Sequence, residues 1–482
     1  MTRTLVPPSL APPVSPLREL LSLAAPTVLQ MASYTLMQFV DTYMLAVFSE
    51  QIGSKSAEPN AAANAGLFTF ALMSLGWGTI QIVNALVSQS FGRGERRACG
   101  RYLWQGIWFA VLYGLAILPI LPFARLPFTW FGHEPVLVEL QGVYLQITVS
   151  WCIFRLVGAA FSQFLLAINR PNLVLVAALL GVSINVLFNW LLIFGNAGFP
   201  RLGLVGAAWG TNLAVLVESG VLMAFAFGGT IRRTFNSLDW RWRRPEMRQL
   251  ITIGMPSGVQ VVADVLAWSL FGVWVLAQLG SSAMAAHNFM MRYMVLSFMP
   301  AFGMSVAVTA LVGRYIGRGR HDLAEKRAHL GFVVCAIYML SCGVLFFVAR
   351  RELIGLFTTD PEIVALGSLL LVFAAFYQFF DAVYIIYVSA LRGAGDTFVP
   401  ALVTAGLCWG ITLFGGLLIV TLRPDWGVAG PWTAATVYGV ILGVFMYRRF
   451  ALGRWKAIRL DRDQQAPNLS DLEAAVPVAP QN

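Results

Sequence analysis

Residues 20–48 read LLSLAAPTVLQMASYTLMQFVDTYMLAVF, an apolar stretch that contains a single charge, Asp41. Because roughly 20 apolar residues in a helix cross the hydrocarbon core of a bilayer, this stretch is predicted to be a transmembrane helix with a carboxylate inside the membrane. Eleven further apolar stretches follow, at residues 62–91, 103–123, 138–166, 173–194, 205–227, 250–279, 283–316, 328–349, 363–390, 399–420 and 428–447. The sequence therefore predicts an all-α integral membrane protein with twelve transmembrane helices.

The overall composition agrees with a membrane protein. Of the 482 residues, 58% are hydrophobic and 12% are charged, and the mean hydropathy is +0.71. A typical soluble domain has about 25% charged residues. A soluble protein is therefore excluded.

The start of the first helix recurs in the second half of the chain. Leu21-Ser22-Leu23-Ala24-Ala25-Pro26 matches Ile251-Thr252-Ile253-Gly254-Met255-Pro256 at an offset of 230 residues. Two later matches, in the same order, pair residues 92–94 with 317–319 and residues 203–206 with 427–430. Such an offset spans six helices, an even number, so the repeats have the same orientation in the membrane. Two six-helix bundles are predicted, related by a pseudo-two-fold axis along the membrane normal.

The predicted organisation has five parts. Residues 1–16 form a disordered N-terminal arm with five prolines. Residues 17–227 form an N-lobe of six helices, residues 228–249 a cytoplasmic linker, residues 250–450 a C-lobe of six helices, and residues 451–482 a disordered tail.

The net charge is +10, and the positions of the basic residues indicate how it should be interpreted. Most Lys and Arg residues fall in the two tails and in the loops after helices 2, 4, 6, 8 and 10. Only six lie in the opposite loops: Lys55, Arg125, Arg201, Arg350, Arg351 and Arg423. By the positive-inside rule, both termini are predicted to be cytoplasmic. Binding of nucleic acid is the disfavoured alternative.

The five cysteines have no CxxC spacing, so neither a disulfide framework nor a zinc site is expected.

Charges inside the predicted helices are costly and mark functional positions. They are Asp41, Arg155, Glu218, Asp264, Arg292 and Asp381. Helical spacing places Tyr34 and Gln38 on the face of Asp41, Gln260 and Trp268 on that of Asp264, and Tyr377, Gln378 and Tyr384 around Asp381. We interpret these polar and aromatic neighbours as candidate substrate-binding residues, and Asp264 as lying near the repeat counterpart of Asp41. An ion pair with Arg155 or Arg292 is the structural alternative for each aspartate, and Glu218 is expected near the cytoplasmic boundary.

A carboxylate in this setting can carry a proton or bind Na⁺ with neighbouring oxygens. Asn185 and Asn189, spaced i and i+4 in helix 5, place two amides on one face that could help to bind Na⁺. Hydrogen bonding between helices is the alternative role for these two amides.

No nucleotide or metalloenzyme motif accompanies these carboxylates. GxxxxGK[ST], HExxH and GxSxG patterns are absent from the sequence. We therefore expect neither an enzyme nor a bound cofactor, and an ion gradient is the energy source that remains.

Several segments resemble the multidrug and toxic compound extrusion (MATE) family. They are Gln38-Phe39-Val40-Asp41-Thr42, Val87-Ser88-Gln89-Ser90-Phe91-Gly92, Ala285-Ala286-His287-Asn288, Val312-Gly313-Arg314-Tyr315-Ile316-Gly317, and Ser389-Ala390-Leu391-Arg392-Gly393-Ala394-Gly395-Asp396-Thr397. The likeness extends from helix 1 to helix 12. Acidic residues in helices 1, 7 and 10 are similar to the NorM-like branch, although the family usually has Glu where Asp264 stands.

The resemblance implies an inner-membrane antiporter of a bacterium that exports amphipathic, often cationic, drugs in exchange for Na⁺ or H⁺. It also implies that Asp41, Asn185, Asn189 and Thr211 form a cation site in the N-lobe, with Asp264 and Asp381 as further ion-coupling residues. The expected partners are these small molecules and membrane lipid, and the expected state is a monomer. The alternatives are a lipid or lipid-linked oligosaccharide flippase of the same superfamily and, less favoured, a major facilitator fold.

Overall fold

The computed structural model describes residues 15–54, 57–458 and 460, and the regular elements in these ranges are all helical. Eleven helices are long and apolar enough to cross a membrane, and a pair bent by 48°, Pro135–Ser150 and Cys152–Ala167, makes a twelfth span. The predicted all-α fold with about twelve membrane helices is confirmed. Most of the predicted N-terminal arm and C-terminal tail, and Lys55, lie outside the described residues.

We number these spans α1 to α12. Their bounds are α1 Pro16–Ile52, α2 Ala57–Arg93, α3 Arg96–Phe123, α4 Pro135–Ser150 with Cys152–Ala167, α5 Pro171–Phe194, α6 Leu204–Ala226, α7 Arg244–Leu279, α8 Ser281–Gly317, α9 His321–Val348, α10 Pro361–Ala394, α11 Phe398–Leu422 and α12 Ala429–Ala451. Short helices at Leu126–Trp130, Gly229–Phe235 and Arg350–Gly355 lie between the spans. The predicted helix positions agree with these bounds to within a few residues at most ends.

The segment between α6 and α7 is shorter than predicted. Helix α7 begins at Arg244, inside the expected linker 228–249, because Pro245 and Glu246 in its first turn favour the start of a helix. The preceding segment packs on α3, where the indole nitrogens of Trp104 and Trp108 donate to the carbonyls of Ser237 (2.7 Å) and Trp240 (2.9 Å). We call the end of the bundle that holds this segment the linker end.

The repeat extends to the backbone. The two matched glycine turns are left-handed at Gly94 (φ 85°) and Gly319 (φ 70°), and Gly203 (φ 53°) corresponds to Gly427 (φ 50°). All four positions favour glycine because a Cβ is disfavoured at positive φ.

A further match, which the sequence comparison missed, joins the ends of α4 and α10. Asn169 (φ 66°) and Gly395 (φ 86°) are both left-handed. The N–H groups of 169 and 170 donate to the carbonyls of 166 and 165, and those of 395 and 396 donate to the carbonyls of 392 and 391. This pairing fixes an offset of 226 residues between the two helices. At that offset, the counterpart of Asp381 in α10 is Arg155 in α4.

The two halves touch tightly at the linker end, where α2 crosses α8. A Cβ on Gly92 would lie 2.1 Å from the carbonyl oxygen of Arg314, and one on Gly317 would lie 2.1 Å from that of Gln89. Hydrogen bonds reinforce the contact, since Gln89 donates to the carbonyl of Gly393 (2.9 Å) and Arg392 donates to Gln81 (3.1 Å). This end of the bundle is closed.

Away from the linker end, the halves have separate cores. One buried cluster, which includes Leu45 and Phe48, draws only on the first half, and another, which includes Phe271 and Trp432, draws only on the second. The stacked rings of Trp77 and Phe302, with centroids 5.6 Å apart, join the halves near the middle of α2 and α8. Among the described residues, no buried apolar cluster joins the halves at the opposite end. We infer that the molecule is closed at the linker end and parted at the opposite end.

We expect Gly92→Ala to weaken closure of the linker end, because its methyl group would overlap a backbone carbonyl that cannot turn aside. Spin labels at Arg97 and Lys326, both exposed and on different halves, should show a longer or broader distance distribution by double electron–electron resonance. Gly66→Ala in the same helix is the control, since a Cβ there meets no atom within 4 Å. Equal distributions for both variants would contradict this interpretation of the glycine contacts.

Candidate ion and substrate sites

A chain of polar side chains runs through the first half from α1 to α6. The Asn189 side-chain nitrogen donates to Asp41 Oδ1 at 2.6 Å and lies 3.3 Å from Asn185 Oδ1, and Asn185 donates to the Thr211 hydroxyl at 3.4 Å. Both asparagines are fully buried, whereas Asp41 is partly exposed. The structure thus brings together the four residues of the predicted cation site, from three helices.

Glycine in α6 makes room for this arrangement. The side-chain oxygen of Asn189 is buried without a hydrogen-bond partner and lies 2.2 Å from where a Cβ on Gly210 would be. Carboxylate, amide and hydroxyl oxygens are the ligands that hard cations prefer. Within the described ranges, no group of three or more His, Cys, Asp or Glu side chains could hold a metal, so this set offers one carboxylate supported by neutral oxygens.

A second polar group lies two helical turns along α1, and sequence reasoning missed part of it. The Tyr34 hydroxyl donates to Glu218 Oε1 of α6 and accepts from Gln30 at 3.1 Å. The other Glu218 oxygen lies 3.2 Å from the Cβ position of Gly181 in α5. Glu218 thus lies between α1 and α5, and its position near the cytoplasmic boundary stays a prediction. The available signal was the spacing of Tyr34, seven residues before Asp41 on one helical face.

The second half holds two carboxylates near a group of tyrosines. Both Asp264 of α7 and Asp381 of α10 interact electrostatically with Tyr377 and Tyr384. Tyr438 of α12, which the sequence did not single out, interacts with Asp264 as well. Gln260 donates to the Tyr384 hydroxyl at 2.8 Å, so most predicted C-lobe residues lie around one site.

None of the three membrane aspartates forms the alternative ion pair with Arg155 or Arg292 in the residues that the structure describes. Within the ranges that the structure describes, Asp264 and Asp381 form no hydrogen bond or ion pair, and Asp264 Oδ1 is fully shielded. Asp41 bonds to Asn189 rather than to an arginine. Arg292 is exposed and lies over the Phe357 ring at 6.0 Å. The alternative of structural pairing with Arg155 or Arg292 is therefore wrong.

Three other candidate substrate residues have distinct surroundings. Gln378 is fully buried and donates to Ser297 at 2.7 Å, in the contact of α10 with α8. Trp268 packs edge to face on Tyr377 at 6.4 Å, whereas Gln38 is exposed on α1. The roles of these side chains in substrate binding remain predictions.

The expectation that Asp264 lies near the counterpart of Asp41 is wrong. At the offset of 230 that matches the starts of α1 and α7, Asp264 corresponds to Tyr34, and Asp41 corresponds to Phe271. Phe271 begins a π-helical turn, Phe271–Val275. The carboxylates of the two halves therefore lie at different depths.

Comparison with known proteins bears on this arrangement. The MatE family model matches residues 26–191 and 256–415, which is more than half of the chain and includes both carboxylate-bearing regions. The chain belongs to the MatE family. It is thus a membrane transporter rather than an enzyme, and the predicted family resemblance is confirmed.

Full-length relatives and solved structures agree with this assignment. The chain is 29% identical over 468 residues to a probable multidrug resistance protein NorM of Mesorhizobium japonicum, covering 94% of this chain and 96% of that one. It is 28% identical to the multidrug resistance protein PmpM of Pseudomonas aeruginosa, covering 95% of each. An outward-facing multidrug resistance MATE family transporter of the MOP superfamily has the same fold, with a TM-score of 0.82 at 17% identity over 92% of this chain and 97% of that one.

We expect Gly210→Ala to disturb the Asp41 site without unfolding the protein. The added methyl group would displace Asn189 from Asp41 and should lower ion-driven transport roughly tenfold, a typical size for lost coupling between sites. Gly220→Ala, in the same helix and with open space around its Cβ, is the matched control. Substrate efflux from proteoliposomes, at equal amounts of inserted protein, would measure the effect. Equal rates for the two variants would exclude a role for the Asn189 position.

Proposed function

We propose that this MatE protein is a secondary active multidrug efflux antiporter, which exports amphipathic, often cationic, compounds in exchange for Na⁺ or H⁺ by alternating access. The observation that carries the proposal is the Asp41–Asn189–Asn185–Thr211 chain within a molecule that is closed at one end and parted at the other. A gradient-driven exchanger needs an ion site that communicates with the opening.

The distribution of charge supports an orientation. Basic residues are concentrated at the linker end, including Arg232, Arg233, Arg241 and Arg243 between α6 and α7. By the positive-inside rule this end faces the cytoplasm of a bacterial inner membrane, and so do both termini. The parted end then faces outward, in the state from which a substrate is released. We propose that a monomer suffices, since each chain has both halves.

The unpaired carboxylates support ion coupling. Leaving a carboxylate without a partner at membrane depth is costly, and binding a proton or Na⁺ removes most of that cost. Asp264 and Asp381 have no hydrogen-bond partner among the described residues, and Asp41 interacts with the neutral amides of Asn189 and Asn185. We therefore assign ion coupling to these three aspartates, with Asn185, Asn189 and Thr211 assisting at Asp41.

Helix α1 links the ion site to the substrate space. Na⁺ at Asp41 would require the Asn189 amide to present its oxygen instead of its nitrogen, while a proton would remove the charge that this amide now binds. Either change alters the contact of α1 with α5, and Tyr34 on the same helix contacts α6. Ion and substrate then change one another's affinity, which is what antiport requires.

The names of the relatives support the substrate class. Both NorM and PmpM are named as multidrug resistance proteins, and aromatic side chains such as Trp268 and Tyr377 can bind flat cations by cation–π contact. We therefore propose amphipathic cationic drugs as substrates of this chain.

The decisive experiment is ethidium efflux from proteoliposomes that contain the purified protein, with a Na⁺ gradient and a proton gradient imposed separately. Efflux driven by one of these ions would establish antiport and name the ion. Failure under both gradients would overturn the proposal. Movement of a fluorescent lipid between leaflets in the same vesicles would then favour the alternative, a flippase.

We expect Asp41→Asn and Asp381→Asn to abolish ion-driven efflux while the proteins still insert, because a neutral amide cannot release a proton or offer a full charge to Na⁺. Asp425→Asn, an exposed aspartate in the turn before α12, should keep normal efflux. Cell survival on ethidium and vesicle efflux provide two measurements. Normal efflux with either neutral residue would remove that aspartate from the mechanism.

A further inference from the structure

Arg155, in the second segment of α4, is a membrane-depth cation that the proposed mechanism does not use. Its side chain forms no hydrogen bond, ion pair or ring contact with any residue that the structure describes, and its Nε is fully shielded. Two other arginines inside the helical bundle differ from it, because Arg392 donates to Gln81 (3.1 Å) and Arg314 lies over the Phe91 ring (5.6 Å). A half-buried guanidinium without a partner inside the membrane is costly, and a bound anionic group would lower that cost.

The surroundings of Arg155 belong to the same interior as the ion site. It interacts electrostatically with Tyr144, Glu218, Cys152 and Tyr34, and Tyr144 also interacts with Asp41. The side chains of Arg155, Tyr34, Tyr144 and Glu218 are each partly exposed, although they face one another from α1, α4 and α6. The cluster is therefore not completely covered by the surrounding side chains.

Glu218 does not occupy the donors of Arg155. One of its oxygens accepts from Tyr34 of α1, and the other lies against Gly181 of α5. Its charge balances the guanidinium at a distance and lowers the cost of burying it. The side-chain N–H groups of Arg155 therefore have no acceptor among the described residues. The planar guanidinium can donate two parallel hydrogen bonds to a carboxylate.

The repeat makes the charge at this position meaningful. Arg155 is the counterpart of Asp381, from the matched turns at Asn169 and Gly395. Equivalent positions in the two halves thus carry opposite charges: an acid near tyrosines in one half, and a base near tyrosines in the other. A substrate with only positive charge would be attracted to the acid and repelled by the base.

We propose that Arg155 binds the carboxylate of zwitterionic amphipathic substrates. This inference rests on the proposed export of amphipathic cations and extends it to a narrower class, namely cations that also carry a carboxylate. Two parallel N–H···O bonds from the guanidinium hold the carboxylate beside Tyr34, and the aspartates remain available for the cationic group.

Tetramethylrhodamine and its methyl ester test the proposal, because the two dyes share one cationic ring system and differ in whether the carboxylate is free. Their binding to the purified full-length protein in detergent is measured by fluorescence anisotropy. The wild-type protein should prefer the free acid by roughly tenfold or more, as expected for charge-assisted hydrogen bonds. Arg155→Gln should lose this preference and keep its affinity for the ester, while Arg155→Lys should retain part of the preference.

A second variant separates ligand binding from a structural role. Arg155→Gln combined with Glu218→Gln keeps the net charge of the cluster, so it should fold even if the single variant does not, and it too should bind both dyes alike. Preference for the acid in the double variant, equal loss of both dyes in Arg155→Gln, or no preference in the wild type would each overturn the proposal. Because binding is measured without a gradient, a failure of antiport would not alter this comparison.

Discussion

Close contact between backbones at the linker end is the constraint on which the rest of the structure depends. Helices α2 and α8 approach so tightly at Gly92 and Gly317 that a single methyl group would overlap a carbonyl oxygen. Between apolar helices in lipid, the hydrophobic effect contributes little, so small residues and a few hydrogen bonds hold the halves together. Such a contact can release without exposing a large apolar surface to water. Closure at one end leaves the halves free to part at the other.

Glycine also makes room for the polar side chains inside the first half. Gly210 makes room for the Asn189 oxygen, and Gly181 lies against Glu218. In both places a missing side chain lets a charged or amide group sit inside a helical bundle. Burying these groups inside the bundle costs free energy. Binding of a proton, a metal ion or a substrate would remove part of that cost. In the first half, the side chains that the proposed transport needs are therefore ones that lower the stability of the fold.

The two halves share backbone turns but differ in charge. Left-handed residues follow α2 and α4 and precede α6 in the first half. In the second half, left-handed residues likewise follow α8 and α10 and precede α12. Arg155 nevertheless stands where the second half has Asp381. Since the backbone repeat imposes no side-chain chemistry, the halves can serve different ligands while they move as equivalent bodies. This asymmetry gives a physical basis for the proposed exchange of an ion and a substrate through a common interior.

The sequence by itself determined the number of membrane helices, the parallel repeat, the family and the grouping of Asp41 with Asn185, Asn189 and Thr211. The first three follow from apolar length and short motifs, which are local. Spacing along one helix pairs Asn185 with Asn189, whereas their grouping with Asp41 and Thr211 was implied by the family resemblance. The tertiary structure alone decided that Glu218 contacts Tyr34, that Asp264 and Asp381 form no ion pair with Arg155 or Arg292, and which residues lie opposite each other in the repeat. Contacts between helices depend on how the helices rotate and cross. When every face of a helix is apolar, the hydrophobic pattern does not specify how the helix is rotated about its axis. The contacts between helices are therefore seen only in the packed structure.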